Sequence, residues 1–342
     1  MDPIAGILLI ALGSIGAASF YVPFKKVKSW AWESYWISQG VAAWLIAPLL
    51  FAFIFVPKGE LLPIISESPA SAKLMAMFFG VLWGFGGLTF GLSIRYLGVA
   101  LGQSIALGLC AAFGTLIPPL IAGENLFSTT AGILTITGVS ITVAGIAIIG
   151  YAGSLKSKEM SEEEKKAAVK EFALKKGILI AIFAGVMSAC FNFGFEAGKP
   201  IENVALAHGT NPLFQKNPSL IFILFGGFIT NLIYCAYLNV KNKTYKDYLS
   251  VSGPVLLNNL FFTFLAGFLW FLQFHFFGMG SSKLPDGMAV FGWSILMALN
   301  IAISNIWGIF LNEWKGVKKK TIIVLLAGIV VLILSTFVVK LG

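Results

Sequence analysis

Amides, carboxylates and imidazoles are costly inside apolar helices unless they meet a partner or water. This sequence places a set of them there. Asn258, Asn259, Gln273 and His275 share one apolar run with Trp270. Asn192 and Glu196 stand four apart in a second run, Asn300 and Asn305 lie in a third, and Gln103 lies in a fourth. At helical spacing Trp270 and Gln273 share a face, as do Asn192 and Glu196, and Trp293, Asn300, Ser304 and Trp307 fall in one stripe. Indole faces beside amides suit a sugar, because a pyranose has a C–H face that packs on an aromatic ring and hydroxyls that need donors and acceptors. Interhelical hydrogen bonding is the competing reading, and it needs no ligand. The residues alone leave both open.

Glu196 and His275 are the titratable members of the set. A carboxylate that meets water from one side at a time could carry a proton; for Glu196 the alternative is an interfacial pair with Lys199. Glu33, Glu124 and Glu313 sit at helix ends, where solvated or dipole-related roles compete. Trp30, Trp32, Trp36 and Trp314 suit an interfacial belt, whereas Trp83 and Trp270 lie deeper in their runs.

The elements that must position these groups follow from composition. Of 342 residues, 58% are hydrophobic and 11% are charged, against roughly 25% charged in a soluble domain. Too little polar surface exists to face water, so the lipid bilayer is the solvent and the fold class is an all-α membrane protein. Ten runs reach the roughly 20 apolar residues that a spanning helix needs: about 4–22, 33–56, 74–93, 98–121, 131–152, 177–198, 218–240, 255–278, 287–311 and 321–340. They are too long and too uniformly apolar for a transmembrane β-barrel. All but six of the 24 Lys and Arg fall in the odd-numbered loops. The positive-inside rule therefore puts those loops in the cytoplasm and both termini outside. The same rule explains the net charge of +9 without a nucleic-acid partner.

The hydrophilic segment 153–176 reads as a cytoplasmic connector, with Ser161-Glu-Glu-Glu164 starting a short amphipathic helix. It divides the chain into five-helix segments, 1–152 and 177–342. An odd number of spans per segment makes the second enter the membrane inverted. Gly80-Val-Leu-Trp83 in the third helix and Gly267-Phe-Leu-Trp270 in the eighth are echoes five helices apart, each with a further glycine eleven positions after the first. Gly13 and Gly16 in helix one are echoed more faintly by Gly185 and Ser188 in helix six. Inverted repeats are the architecture of many secondary transporters, with the site near the bilayer midplane. Gly138, Thr142 and Gly145, and Gly98, Gly102 and Ala106, are small residues at helical spacing that permit close packing. A second connector, from Lys199 to Pro218, is expected outside the membrane. Cys110, Cys190 and Cys235 lie in apolar runs with no metal or disulfide spacing. Neither an enzyme motif nor a cofactor or nucleotide-binding motif is present, so uphill transport has to draw on an ion gradient or on exchange.

The run from Ser19 to Glu33, SFYVPFKKVKSWAWE, resembles the signature after helix one of bacterial L-rhamnose–proton symporters. So do Leu82-Trp-Gly84, Arg95-Tyr-Leu-Gly98, Lys175-Lys-Gly177, Gly198-Lys-Pro200, Asn211-Pro-Leu213, Leu269-Trp270, Leu272-Gln-Phe274 and Glu313-Trp314. The resemblance runs nearly end to end. It implies membership of the drug/metabolite transporter superfamily, ten helices in two inverted halves, and proton-driven uptake of L-rhamnose across the bacterial inner membrane. It implies no protein partner. The sequence differs from the enterobacterial pattern at Gly87, Thr89, Asn192, Glu196, Asn258 and His275, so the resemblance leaves the exact sugar and the coupling ion open. On this reading Trp83 and Trp270 pack on the sugar ring at the midplane between the halves. Gln103, Asn192, Asn259, Gln273 and Asn305 bind its hydroxyls, and Glu196, His275 and Glu33 are the candidates for proton coupling. An exporter or exchanger of another small metabolite, and a sugar sensor without flux, are the alternatives.

Overall fold

The computed structural model describes residues 2–121, 123, 125–159, 173–285, 288–310 and 314–341 and, within these, every side chain except those at 94, 95, 98–101, 103, 174 and 339. Glu124, Glu313, the Ser161–Glu164 capping box and the Gln103 side chain therefore lie outside the described part. Among the described residues no strand occurs. Ten helices are long and apolar enough to cross a membrane: α1 (Pro3–Phe24), α2 (Trp32–Phe55), α3 (Ala70–Ser93), α4 (Ser104–Ile121), α5 (Thr130–Glu159), α6 (Lys175–Ala207), α7 (Pro212–Asn242), α8 (Gly253–Ser281), α9 (Ala289–Phe310) and α10 (Lys319–Thr336). This is the all-α membrane class that composition requires, since only internally bonded backbone survives in hydrocarbon.

Three departures from the expected helices matter. First, α3 and α4 belong to one unbroken helical stretch, Ala70–Ile121, where a loop around Arg95 was expected. Second, α6 continues to Ala207, so the first part of the expected external connector is helix. Pro200 removes one helical N–H donor, but Ile201 and Ala205 are fully buried, Ala205 packs with Val56 and Ile64, and Glu202 is paired with Lys216. Tertiary packing outweighs the local stop signal. Third, α2 holds a π-helical turn at Val41–Ile46.

The chain forms two compact units, and the boundary falls inside α1, α3, α6 and α8. One unit comprises Met1–Ser14, Phe85–Asn192 and Gly280–Gly342, the other Ile15–Gly84 and Phe193–Met279. Each unit thus draws on sequence from both sides of the connector. In the first unit the small-residue stripe of α5 receives its neighbours: Gly138 lies under the Phe291 ring and Gly145 against Leu332, while Thr142 donates to Ser335 at 2.9 Å. Ala106 of α4 lies against Gly185 of α6. The Trp293 indole N–H donates to the Cys110 carbonyl at 3.1 Å, and its ring stacks on Phe191.

The second unit is built on two backbone-to-backbone crossings. A Cβ at Gly80 of α3 would collide with the Ile223 carbonyl of α7, and one at Gly226 with the Met77 carbonyl of α3. At the other crossing Gly267 of α8 faces the Gln39 carbonyl, Ala42 and Ala43 of α2, and Ser38 and Thr263 hydroxyls bond at 2.8 Å. Side-chain ties close the helix ends. Trp30 donates to the Asp247 carbonyl, and Ala31 N–H and the Ser34 hydroxyl donate to the Asp247 carboxylate. At the opposite end of α2, His208 bonds Glu60 through Nδ1 at 2.7 Å and Glu67 through Nε2 at 2.9 Å. This clamps the short helix Leu61–Glu67 to the end of α6.

A side chain at the first crossing has nowhere to go. Gly226→Val is expected to destabilise the protein by about 1–3 kcal/mol or more, read as a lower melting temperature in detergent. Gly91→Ala, with open space around it, serves as the control that should leave melting unchanged. The clamp predicts a pH effect. Bonds to Glu60 first and to Glu67 raise the His208 imidazole above its ordinary range. The tie is complete below the ordinary imidazole value of about 6.5 and is lost as pH rises through the raised value. Amide exchange in Leu61–Glu67 should quicken over that interval in the natural protein and show no such step in His208→Ala.

Candidate functional site

Three indoles meet in the second unit. Trp44 lies 6.0 Å from Trp83 and 5.9 Å from Trp270, ring centre to ring centre, and Trp83 lies 5.5 Å from Trp270. Each stands near the middle of its span, in α2, α3 and α8. Backbone geometry puts them there. Trp83 is one turn beyond Gly80, and Trp270 one turn beyond Gly267, so the two crossings set the depth of both rings. Glycines give the rings room: Trp44 folds over Gly40 and Trp83 over Gly227. Trp36 extends the cluster, with its ring 6.1 Å from Trp44 and its N–H donating to Asn231 Oδ1 at 3.0 Å. Asn231 in turn donates to the Gly227 carbonyl. Trp44 is buried, while Trp83 and Trp270 are half-buried. Each aromatic pair adds about 0.5–1.5 kcal/mol beyond area burial, and the half-buried rings keep a surface available to a ligand.

Amides accompany the rings. Gln273 is buried and donates through Nε2 to the Trp270 carbonyl at 3.0 Å. Gln39 is wholly buried in α2, between Trp36 and Trp44 in sequence. Among the described residues, neither end of its carboxamide, nor the Trp44 indole N–H, has a hydrogen-bond partner.

The structure brings Trp83, Trp270 and Gln273 together, gives Asn259 other partners in the same unit, and assigns Asn192 and Asn305 to the first unit. Asn259 opens α8: its Oδ1 accepts from the Lys28 N–H at 2.9 Å and its Nδ2 donates to the Lys28 carbonyl at 2.7 Å. It clamps the α1–α2 connection, with Asn258 doing the same at the Lys26 carbonyl. Asn192 belongs to the first unit and donates to the Gly114 carbonyl at 2.7 Å. Asn305, also in the first unit, bonds back to Ile301 of its own helix.

The titratable candidates occupy three environments. Glu33 is buried at the start of α2, where it accepts from Asn242 Nδ2 at 2.9 Å and the Thr244 hydroxyl at 2.7 Å. Among the described residues no cation lies within ion-pair distance of it. Glu196 is half-buried and pairs with Lys199 on its own helix. His275 is buried in an aromatic box of Phe51, Phe55 and Phe214, and its Nδ1 meets Asn217 Oδ1 at 3.0 Å. Sequence reasoning missed Glu202, a buried carboxylate held by Lys216 at 3.2 Å through both oxygens. Its proximity to Lys199 and Pro200 made it read as part of a loop. It also missed Gln39 and Trp44. Gln39 and Trp36 stand three apart, and that spacing was the available signal; the π-helical turn had none.

The family model described as L-rhamnose-proton symport protein (RhaT) matches residues 2–342. The L-rhamnose-proton symporter of Yersinia pestis (strain Pestoides F) is 37% identical over 343 aligned positions, covering 99% of this chain and 98% of its own length. That of Yersinia pseudotuberculosis (serotype O:3, strain YPIII) is similar to the same degree. The chain belongs to the L-rhamnose-proton symport protein family.

Proposed function

We propose that the chain takes up L-rhamnose together with protons, by alternating access, and that the sugar ring lies on Trp83 and Trp270 with Trp44 closing the site. The observation that carries this reading is the meeting of three indoles near the middle of three spans, with the Gln273 amide bonded to the Trp270 carbonyl. The methyl group of a 6-deoxy sugar and its C–H face suit the indoles, and its hydroxyls suit the amides. Relatives of nearly the same length bear the name of L-rhamnose-proton symporter, which supports the choice of sugar and ion.

Two inverted five-helix repeats, 1–152 and 177–342, complete the proposal, with odd loops cytoplasmic, both termini outside and the bacterial inner membrane as the location. The two crossings support it: Gly80 of α3 lies against α7 as Gly267 of α8 lies against α2, and five spans separate α3 from α8 and α2 from α7. Rocking of repeat-related helices would open the site to one side at a time. For the proton we favour Glu33. It is buried in a span, held only by neutral donors, and able to gain or lose a proton without breaking an ion pair. Glu196 has Lys199, and His275 is enclosed by phenyl rings.

Proteoliposomes given labelled L-rhamnose and an inward proton gradient test the reading. Accumulation that a protonophore abolishes is expected; no accumulation under the gradient would sink symport. Gln273→Ala and Trp270→Ala should weaken sugar binding by about tenfold or more, a loss of about 1.4 kcal/mol, with the protein still folded. Glu33→Gln should keep sugar exchange between the two sides while losing gradient-driven accumulation. Accumulation at the natural level in that variant would remove Glu33 from the proton path.

A further inference from the structure

The α2 amide at position 39 presents a physical problem. An amide buried without a hydrogen bond costs roughly 1–3 kcal/mol on protein mutational scales. Gln39 is completely buried, and among the described residues neither its Oε1 nor its Nε2 has a partner. One turn later the buried Trp44 indole N–H is also unpartnered. Native structures leave few such groups, and each calls for an explanation.

Packing does not require the amide. Gln39 stands where its backbone carbonyl meets Gly267 of α8, and Ile223 stands in the same relation to Gly80 of α3, its carbonyl against the glycine. Ile223 is also completely buried. The same kind of helix crossing therefore closes with an aliphatic side chain in one place and with an unsatisfied amide in the other. Both crossings lie one turn before an indole, Gly80 before Trp83 and Gly267 before Trp270; what differs is that α2 carries Trp36 and Trp44 on either side of Gln39 in sequence. The π-helical turn Val41–Ile46 follows directly. Such turns widen a helix by one residue and recur at functional sites. Here it sets the rotation of the Trp44 indole relative to Gln39.

We infer that the Gln39 carboxamide and the Trp44 indole N–H are polar anchors for the hydroxyls of the sugar held by the tryptophan cluster. Gln39 supplies one acceptor and two donors, and Trp44 one donor. That set complements neighbouring ring hydroxyls, each of which donates and accepts. The protein leaves these groups without partners among the described residues, and a bound sugar would supply them. The inference rests on the reading of this cluster as a sugar site.

Titration calorimetry on the full chain in nanodiscs tests it, with L-rhamnose, L-mannose and L-fucose as probes and melting of the sugar-free protein as the second readout. Gln39→Leu should bind L-rhamnose at least about tenfold more weakly, and its sugar-free melting temperature should hold or rise, because an unsatisfied polar group has been removed. Trp44→Phe keeps a ring while deleting the donor, and should weaken binding several-fold; it remains informative if Gln39→Leu fails to fold. Natural affinity in both variants overturns the inference, as does a lower sugar-free melting temperature of Gln39→Leu, which would make the amide structural. If the natural protein binds one of the other hexoses instead, and Gln39→Leu weakens that binding, the anchors stand and the choice of L-rhamnose falls. If it binds none of the three, the sugar reading and the anchors fall together.

Discussion

Side chains in a bilayer gain little by leaving lipid for one another, so helices associate where their backbones can approach and dispersion contacts multiply. Gly80 with Gly226, and Gly267 with Ala42 and Ala43, are such places. The rest of the second unit depends on them. They fix the depth of α3 against α7 and of α8 against α2, and so they fix the level at which Trp83 and Trp270 stand. Trp44 completes the cluster because Gly40 leaves its ring room to lie back along α2.

Polar groups in the second unit divide by whether the protein itself satisfies them. At the Glu33 end nearly every one is engaged: Asp247 collects the Ala31 amide and the Ser34 hydroxyl, Asn242 and Thr244 reach Glu33, and Asn259 spends both ends of its amide on Lys28. At the opposite end Glu202 and Lys216 neutralise each other, and His208 ties Glu60 to Glu67. Both ends of the unit are thus knit by hydrogen bonds. In the middle, Gln39 and the Trp44 N–H have no partner among the described residues, and toward the Glu202 end the same holds for the Thr210 hydroxyl and Asn217 Nδ2. Unmet hydrogen-bonding capacity beside aromatic faces, with firm ends around it, is what a carrier of a polar, ring-shaped solute needs at the midplane.

The proton imposes a different requirement. A carboxylate that has to be charged at one stage and neutral at another cannot be locked to a lysine. Glu202 is locked and contributes most simply as a fastening between α6 and the start of α7. Glu33 is held by the neutral donors Asn242 and Thr244, so gaining or losing a proton there breaks no ion pair among the described residues. Because α2 carries Glu33, Gln39 and Trp44 in succession, one helix links the proposed proton group to the proposed sugar anchors.

Much of this was legible in the residues. Long apolar runs had to be helices, because hydrocarbon offers no partner for open backbone, and ten such helices are there. The depth of Trp83 and Trp270 followed from their place in those runs, and the small stripe of α5 did seat its neighbours. What one sequence could not supply was pairing. Asn259 and Gln273 sit in the same apolar helix and look alike in sequence; one proves to be a loop clamp and the other a neighbour of the indoles. Glu202 read as solvated until α6 was seen to continue past Pro200 and Lys216 to close on it. Gln39 drew no notice because one amide in an apolar run shows nothing of its partners. Only the packed structure, which decides who meets whom across helices far apart in sequence, left it buried and without a partner among the described residues. Hydrophobicity and chain length are local properties and determined the helices; hydrogen-bond satisfaction is a property of contacts, and tertiary structure alone decided it.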